Sequence, residues 1–146
     1  MSGPVKVRIE KRFRHPRERV FDGFLDPTRV GDWLFHTPDG VMERTDYDPQ
    51  PGGSFALFER RGGDLARHFG RFVEIRRPER IVFDFWVDEA PDAPTRVTVT
   101  FEAADDACTV TLAHDLAPAW ASYAGRTTAG WTMILDSLAR VMETRR

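Results

Sequence analysis

The feature that most constrains this chain is an apolar stripe along its last segment, which predicts one long amphipathic helix. Apolar residues recur there three and four positions apart, at Trp131, Ile134, Leu135, Leu138, Val141 and Met142. This spacing places them on one helix face. Arg145 and Arg146 follow in the last turn, where positive charge suits the carboxyl end of the helix dipole. Because so wide a stripe must be buried, the rest of the chain has to supply one large apolar surface.

The upstream segments alternate apolar and polar residues, a pattern that predicts strands with one buried face. They indicate an antiparallel sheet of about six strands, with turns rich in glycine and proline between them. The first predicted strand covers residues 5–13, and the six strands of the meander that follows cover 41–47, 54–60, 66–76, 80–88, 97–102 and 109–114, of which 41–47 has the weakest pattern. Two short helices are expected after the first strand, one beginning at Pro16 and one at Pro27. The inner face of such a sheet is the surface that the long helix requires.

Length and charge limit the class of protein. The chain length predicts a single domain over residues 1–146 with a sizeable core. A net charge of −2 with mixed signs argues against partners such as nucleic acid or an anionic membrane surface. The lone Cys108 cannot form an internal disulfide, residues 1–14 contain no apolar run typical of a signal peptide, and no stretch is long enough to span a membrane. We therefore expect a cytoplasmic protein.

Several short motifs, spread over nearly the whole chain, resemble those of one known family. They are Val20-Phe21, Asp26-Pro27, Trp33, Pro51-Gly52-Gly53-Ser54-Phe55, Gly70-Arg71-Phe72, Pro78-Glu79-Arg80-Ile81-Val82-Phe83, Val97-Thr98-Val99-Thr100-Phe101, Thr109-Val110-Thr111-Leu112 with His114, Gly130-Trp131 and Leu135-Asp136-Ser137-Leu138. In this order they resemble the family named after the carboxyl-terminal domain of the activator of Hsp90 ATPase, within the START/Bet v 1-like (SRPBCC) superfamily. One departure is Trp33-Leu34, where many members carry two tryptophans.

The resemblance implies an α+β helix-grip fold, in which a curved antiparallel sheet wraps around the long carboxyl-terminal helix and encloses an apolar cavity. It does not imply the activity in the family name. The eukaryotic co-chaperone after which the family is named uses a separate amino-terminal domain to stimulate Hsp90, and 146 residues leave no room for such a domain. Hsp90 is therefore not an expected partner.

Aromatic residues are the strongest indication of function. The chain contains 11 phenylalanines and 4 tryptophans, more than a core of mainly aliphatic side chains needs. Small-molecule pockets are usually concave and apolar, with aromatic walls and a few polar groups. Together with the resemblance, this composition favours a cavity over a solid core. The residues expected to bind the ligand are Trp33, Phe35, Phe83, Phe85, Val99, Phe101, His114, Trp120, Tyr123 and Trp131.

Gly130 opens the main part of the long helix, where glycine costs roughly 1 kcal/mol in helix propensity relative to alanine. We expect this cost to be tolerated because the helix approaches a strand or a ring closely at this position.

His114 is the one candidate for acid–base chemistry, since its strand phase directs it inward near the start of the long helix. Its possible chemical partners are Tyr123 and His36. The alternative is a core histidine that is satisfied by hydrogen bonds. No spacing among the histidines and Cys108 matches a metal site, and no phosphate-binding loop is present, so neither a metal nor another cofactor is predicted.

Three functions remain open from the sequence. The first is a non-enzymatic protein that carries or sequesters a small hydrophobic molecule. The second is an enzyme of the cyclase, dehydratase or hydrolase kind that uses His114 as acid or base. The third is an interaction module, such as a homodimer, whose core is filled. Binding is favoured because the sequence contains no recognisable nucleophile, metal constellation or phosphate loop, and the identity of the ligand is not encoded in these patterns.

Overall fold

The computed structural model describes residues 5–37, 39–87, 95–116, 122 and 124–144, and within them a single sheet is closed on a long helix. The elements in chain order are β1 (Val5–Phe13), α1 (Arg17–Phe24), a 3₁₀ turn (Val30–Asp32), β2 (Val41–Tyr47), β3 (Ser54–Arg61), β4 (Asp64–Arg76), β5 (Arg80–Val87), β6 (Thr95–Ala104), β7 (Ala107–Leu116) and α2 (Ala124–Thr144). The predicted order of strands and the long final helix are confirmed.

The sheet has seven strands in the spatial order β1-β7-β6-β5-β4-β3-β2, and every neighbouring pair is antiparallel. The ladder shifts register between Met42 and Arg44 and again between Phe72 and Glu74. Such bulges bend a strand and increase its twist. The resulting curved sheet with α2 against its inner face is the helix-grip α+β fold.

The second predicted short helix is reduced to the 3₁₀ turn. Oδ1 of Asp26 accepts hydrogen bonds from the backbone N–H of Thr28 at 2.9 Å and from the Thr28 hydroxyl at 2.7 Å. Because these bonds form an Asx turn, Asp26 stabilises a change of direction instead of capping an α-helix. The first helix begins one residue later than predicted, with Pro16 as its N-cap.

The apolar stripe of α2 is buried, as its spacing predicts. Its buried members are Trp131, Ile134, Leu135, Leu138 and Met142, and Val141 is partly buried. Each such side chain contributes roughly 1.5–3 kcal/mol of hydrophobic stabilisation when it is fully withdrawn from water. On the solvent side, Lys11 of β1 forms an ion pair with Asp136 at 2.8 Å. Helix and sheet are therefore held together by packing in the interior and by charge at the edge.

Most of the interior is solidly packed, and we call the aromatic cluster Phe21, Phe24, Trp33, Phe83 and Phe101 the filled region. Each of these side chains is at most 2% exposed. The Phe101 ring makes edge contacts with Phe21 at 5.1 Å and with Phe24 at 6.1 Å between centroids, and Phe24 contacts Trp33 at 4.9 Å. Rings from α1 and from the 3₁₀ turn thus fill the space over this part of the sheet.

Candidate ligand-binding site

A groove of about 270 Å³ lies between the first turns of α2 and the ends of β3 and β5. Its apolar lining consists of Phe35, Phe85, Val87, Trp131, Met133 and Ile134. Its polar lining consists of Thr37, Arg61, His68, His114 and Thr127, and Gly130 completes it. A concave apolar surface with a few convergent polar groups is the usual form of a small-molecule site.

A larger depression of about 490 Å³ lies on the outside of the molecule, between α1 and the end of α2. Its floor is apolar, but its rim is charged: Glu18, Arg19, Asp22, Asp26 and Arg29. Part of this rim is already neutralised, since Asp22 forms a two-pronged ion pair with Arg77 at 2.8 Å. The smaller groove reaches into the sheet–helix interior and is more apolar in its lining residues, so it is the better candidate for a ligand site.

Three rings of the groove lie nearly parallel and form a stack, which we call the ring shelf. The Phe35 ring is stacked on His68 at 4.3 Å with an interplanar angle of 3°, and on Phe85 at 4.9 Å with an angle of 15°. Trp131 bounds the shelf on one side, tilted by 58° at 5.6 Å from Phe35. The stacked rings cover one another's faces, so another aromatic group would meet mainly their edges, and edge-to-face contact is one of the favoured geometries of aromatic pairs.

Phe35 adopts an unusual backbone conformation to place its ring on the shelf. Its φ of +58° lies in the left-handed region, which bulky residues rarely adopt and which costs roughly 1–3 kcal/mol. The Phe35 carbonyl accepts a hydrogen bond from Nη2 of Arg61 at 3.4 Å. Since such strain persists only where neighbouring groups maintain it, residues 35–37 form a fixed strap along one side of the groove.

A buried carboxylate, Glu59, anchors this strap. Glu59 has no exposed surface. Its Oε2 accepts hydrogen bonds from the backbone N–H of Thr37 at 2.6 Å and from Nδ1 of His36 at 2.8 Å. Its Oε1 accepts hydrogen bonds from Nε of Arg61 at 2.6 Å and from the Thr37 hydroxyl at 3.2 Å. Burial alone raises the pKa of Glu59, but the hydrogen bonds from Arg61, Thr37 and His36 outweigh it, so this pKa lies below its ordinary value.

His114 is buried, and both of its ring nitrogens have partners. Nδ1 accepts a hydrogen bond from Nε1–H of Trp131 at 3.0 Å. An indole N–H can only donate, so the proton of the neutral imidazole is on Nε2, which donates to the Thr95 hydroxyl at 2.6 Å. Burial lowers the pKa of His114 to about 4, and nearby Asp115 only partly offsets this effect. His114 is therefore neutral at pH 7, with no lone pair available to a ligand.

The structure brings together only part of the expected site. Phe35, Phe85, His114 and Trp131 line the groove. Trp33, Phe83, Val99 and Phe101 do not, because they are at most 2% exposed and are packed among other core side chains. Trp120 and Tyr123 lie outside the described residues. The expected cavity wall around Val99 is thus filled, and the open space is displaced toward Phe85.

The expectation that Gly130 permits a close approach of helix and sheet is wrong. A Cβ atom added at Gly130 would meet no atom within 4 Å. Gly130 instead lines the groove, where the missing side chain leaves space that a larger residue would occupy.

A curved sheet closed on a long helix, with an apolar groove beside the start of that helix, defines a helix-grip protein of the START/Bet v 1-like superfamily. The model of the family described as "Activator of Hsp90 ATPase homolog 1-like protein" matches residues 14–143, and the chain belongs to this family. Proteins of this fold typically bind small ligands. No curated protein matches the chain significantly. Among the described residues, no helix combines the length and the hydropathy that a membrane span requires.

Solved structures support the same fold. Protein CV1439 from Chromobacterium violaceum is 23% identical, with a TM-score of 0.80 over 93% of this chain and 95% of that one. CalU16 from Micromonospora echinospora is 22% identical, with a TM-score of 0.71 over 94% of this chain and 75% of that one. DynU16, a protein in the dynemicin biosynthetic locus, is 23% identical with a TM-score of 0.74, and the match covers 95% of this chain but only 47% of DynU16.

Proposed function

We propose that the protein binds a small hydrophobic molecule in the groove and carries or sequesters it without transforming it. The observation that supports this most directly is the shelf on which Phe35 is stacked with His68 and Phe85. Apolar surface buried in such a site contributes about 25 cal/mol per Å², and aromatic contacts add to this. The volume of about 270 Å³ suits a small ligand, since pockets for drug-sized molecules begin at roughly 300 Å³.

Binding accounts for the geometry better than the other two functions. A general base needs a lone pair that can accept a proton at the working pH, and both nitrogens of His114 are engaged. This weakens the proposal of a cyclase, dehydratase or hydrolase built on that residue. An interaction module with a filled core is consistent with the filled region, but it gives no reason for the parallel rings of the groove.

Native mass spectrometry of the protein as purified tests the proposal. We expect a species heavier than the bare chain, which returns to the mass of the bare chain after extraction with an organic solvent. The extracted protein should then bind the neutral, environment-sensitive dye N-phenyl-1-naphthylamine with saturation at one site. Absence of both a bound molecule and a saturable dye site would contradict the proposal.

Two valines of similar exposure provide a matched pair for the dye experiment. Val87 is 42% exposed and lines the groove, whereas Val73 is 43% exposed and is not among the lining residues. Val87→Glu places a carboxylate at the groove and should weaken dye binding on the order of tenfold or more, because the charge must be desolvated. Val73→Glu should leave it unchanged. Equal affinities in the two variants would show that the dye binds elsewhere.

A further inference from the structure

A small polar depression adjoins the groove along α2. It has a volume of about 150 Å³ and is lined by Asp32, His36, Thr37, Ser137, Arg140 and Val141. Thr37 lines both the depression and the groove. On α2, Gly130 belongs to the groove and Ser137 to the depression, and two helical turns separate them by roughly 10 Å. A ligand of about that length reaches from the ring shelf to the depression.

His36 contributes a nitrogen with no partner to the depression. The Glu59 carboxylate is ionised and can only accept hydrogen bonds, so Nδ1 of His36 carries a proton and donates it at 2.8 Å. Within the described ranges, Nε2 of His36 has no hydrogen-bond partner, and the side chain is partly exposed. Because Nδ1 carries the proton, Nε2 of His36 has a lone pair that can accept a hydrogen bond from an O–H group of a ligand in the depression.

Two further donors face the same depression from α2. Nη2 of Arg140 donates to Oγ of Ser137 at 3.0 Å, which leaves the Ser137 hydroxyl proton free to donate to a ligand. The other charged groups around His36 are largely paired. Glu59 is paired with Arg61 on β3, and Asp32 of the 3₁₀ turn is paired with Arg29 at 3.0 Å.

We propose that the ligand is a small amphiphilic carboxylic acid, whose apolar body lies on the ring shelf and whose head group binds His36, Ser137 and Arg140. The Arg140 guanidinium and the Ser137 hydroxyl donate hydrogen bonds to the carboxylate oxygens. Such charge-assisted hydrogen bonds are stronger than those between neutral groups. The acid is bound together with one proton, which lies in a hydrogen bond between a carboxyl oxygen and Nε2 of His36. This inference rests on the proposed function and specifies the chemical class of its ligand.

The pair 2-naphthoic acid and 2-naphthamide tests the inference, because the two share an apolar body and differ in the head group. Isothermal titration of the extracted protein should give tighter binding of the acid than of the amide at pH 6. The acid itself stays ionised across the pH range used. Since one proton is bound together with the acid, its affinity should fall by up to about tenfold per pH unit as the pH rises above 6, whereas the affinity of the amide should not change.

Variants assign the effect to individual groups. His36→Gln keeps a side-chain N–H for Glu59 but cannot take up a proton, so it should abolish the pH dependence of acid binding. Arg140→Gln should weaken binding of the acid on the order of tenfold and leave the amide unaffected. Arg71→Gln removes an exposed arginine of β4 and controls for the change in net charge. It should bind both compounds like the unmodified protein.

Equal affinity for acid and amide at every pH, or loss of acid binding in Arg71→Gln as large as in Arg140→Gln, would overturn the inference. In that case saturable binding of the dye still supports a hydrophobic ligand in the groove. If neither naphthalene compound binds while the dye does, the inference fails and the proposed function stands. If the dye does not bind either, the proposed function fails with it.

Discussion

The filled region and the groove share one sheet and one helix, yet only the groove is open. Over the filled region, α1 adds the rings of Phe21 and Phe24, and these pack against Phe101 until no space remains. Over the groove, the strap adds a single aromatic ring, that of Phe35, and Gly130 of α2 adds no side chain. Whether aromatic residues fill the interior or line an open groove therefore depends on how many structural elements pack over them. It does not depend on how many aromatic residues the chain contains.

The two regions also differ in polarity. The filled region consists of aromatic side chains, whereas the groove contains His114 and is bordered by the buried Glu59. Each of these polar groups is hydrogen-bonded, as burial requires. The hydrogen bonds hold Trp131 and the strap in defined positions, so the groove is kept open by a rigid frame.

Neighbouring phenylalanines on β5 give the largest expected difference between the regions. Phe83 is 1% exposed, and Phe83→Ala should lower the free energy of unfolding by about 3–5 kcal/mol. Phe85 lies on the same strand face but is partly exposed at the groove, so Phe85→Ala should cost less than about 2 kcal/mol. Urea denaturation measures both values. Equal losses would show that the groove is packed as tightly as the filled region.

Lowering the pH should destabilise the folded protein, because the buried His114 beside the groove becomes protonated. Its pKa is lowered from an ordinary value of 6.5 to about 4 in the folded protein. The stability from keeping this ring neutral is complete above pH 6.5 and is lost progressively as the pH falls toward 4, an effect of about 3 kcal/mol.

His114→Asn supplies the control. The amide oxygen of Asn can still accept the hydrogen bond from Trp131, but the Asn side chain does not titrate. Thermal unfolding followed from pH 7 to pH 4 should therefore decline more steeply in the unmodified protein than in this variant. Parallel declines would mean that other groups cause the loss.

Gly130→Ala should produce the smallest effect, a gain in stability of about 0.4–1 kcal/mol. The added methyl group meets no atom within 4 Å, so the gain in helix propensity is not offset by a clash. Gly125→Ala, also on α2 with open space around an added Cβ, should give a similar gain in thermal unfolding. A loss at Gly130 alone would show that the groove is narrower there.

The fold could be predicted because its determinants are local. The stripe of α2 and the alternation in the strands are periodic patterns, and the motif order identified the family that the match over residues 14–143 confirms. The exception, Asp26, shows the limit of local signals. An acid followed by proline suits a helix start and also an Asx turn, and only the packing around it decides between them.

The site was less predictable because it depends on tertiary packing. Strand phase placed Phe83, Val99 and Phe101 on the inner face correctly, but no periodicity reveals that rings from α1 pack over Phe101 or that Phe55, Phe72 and Trp131 surround Phe83. Glu59 did carry a signal, since it shares the phase of Phe55 and Leu57 on β3 and so had to point inward. A charged residue at an inward position indicates a buried polar network, which is what anchors the strap.

If the groove beside α2 holds the ligand, filling the groove should abolish binding, and one pair of variants measures this. Gly130→Trp projects a ring into the groove, whereas Ala129→Trp places the same ring on an exposed position of α2 that does not line it. Titration with N-phenyl-1-naphthylamine should show loss of the saturable site in the folded Gly130→Trp protein and retention of that site in Ala129→Trp. Unchanged one-site binding in Gly130→Trp would contradict the account.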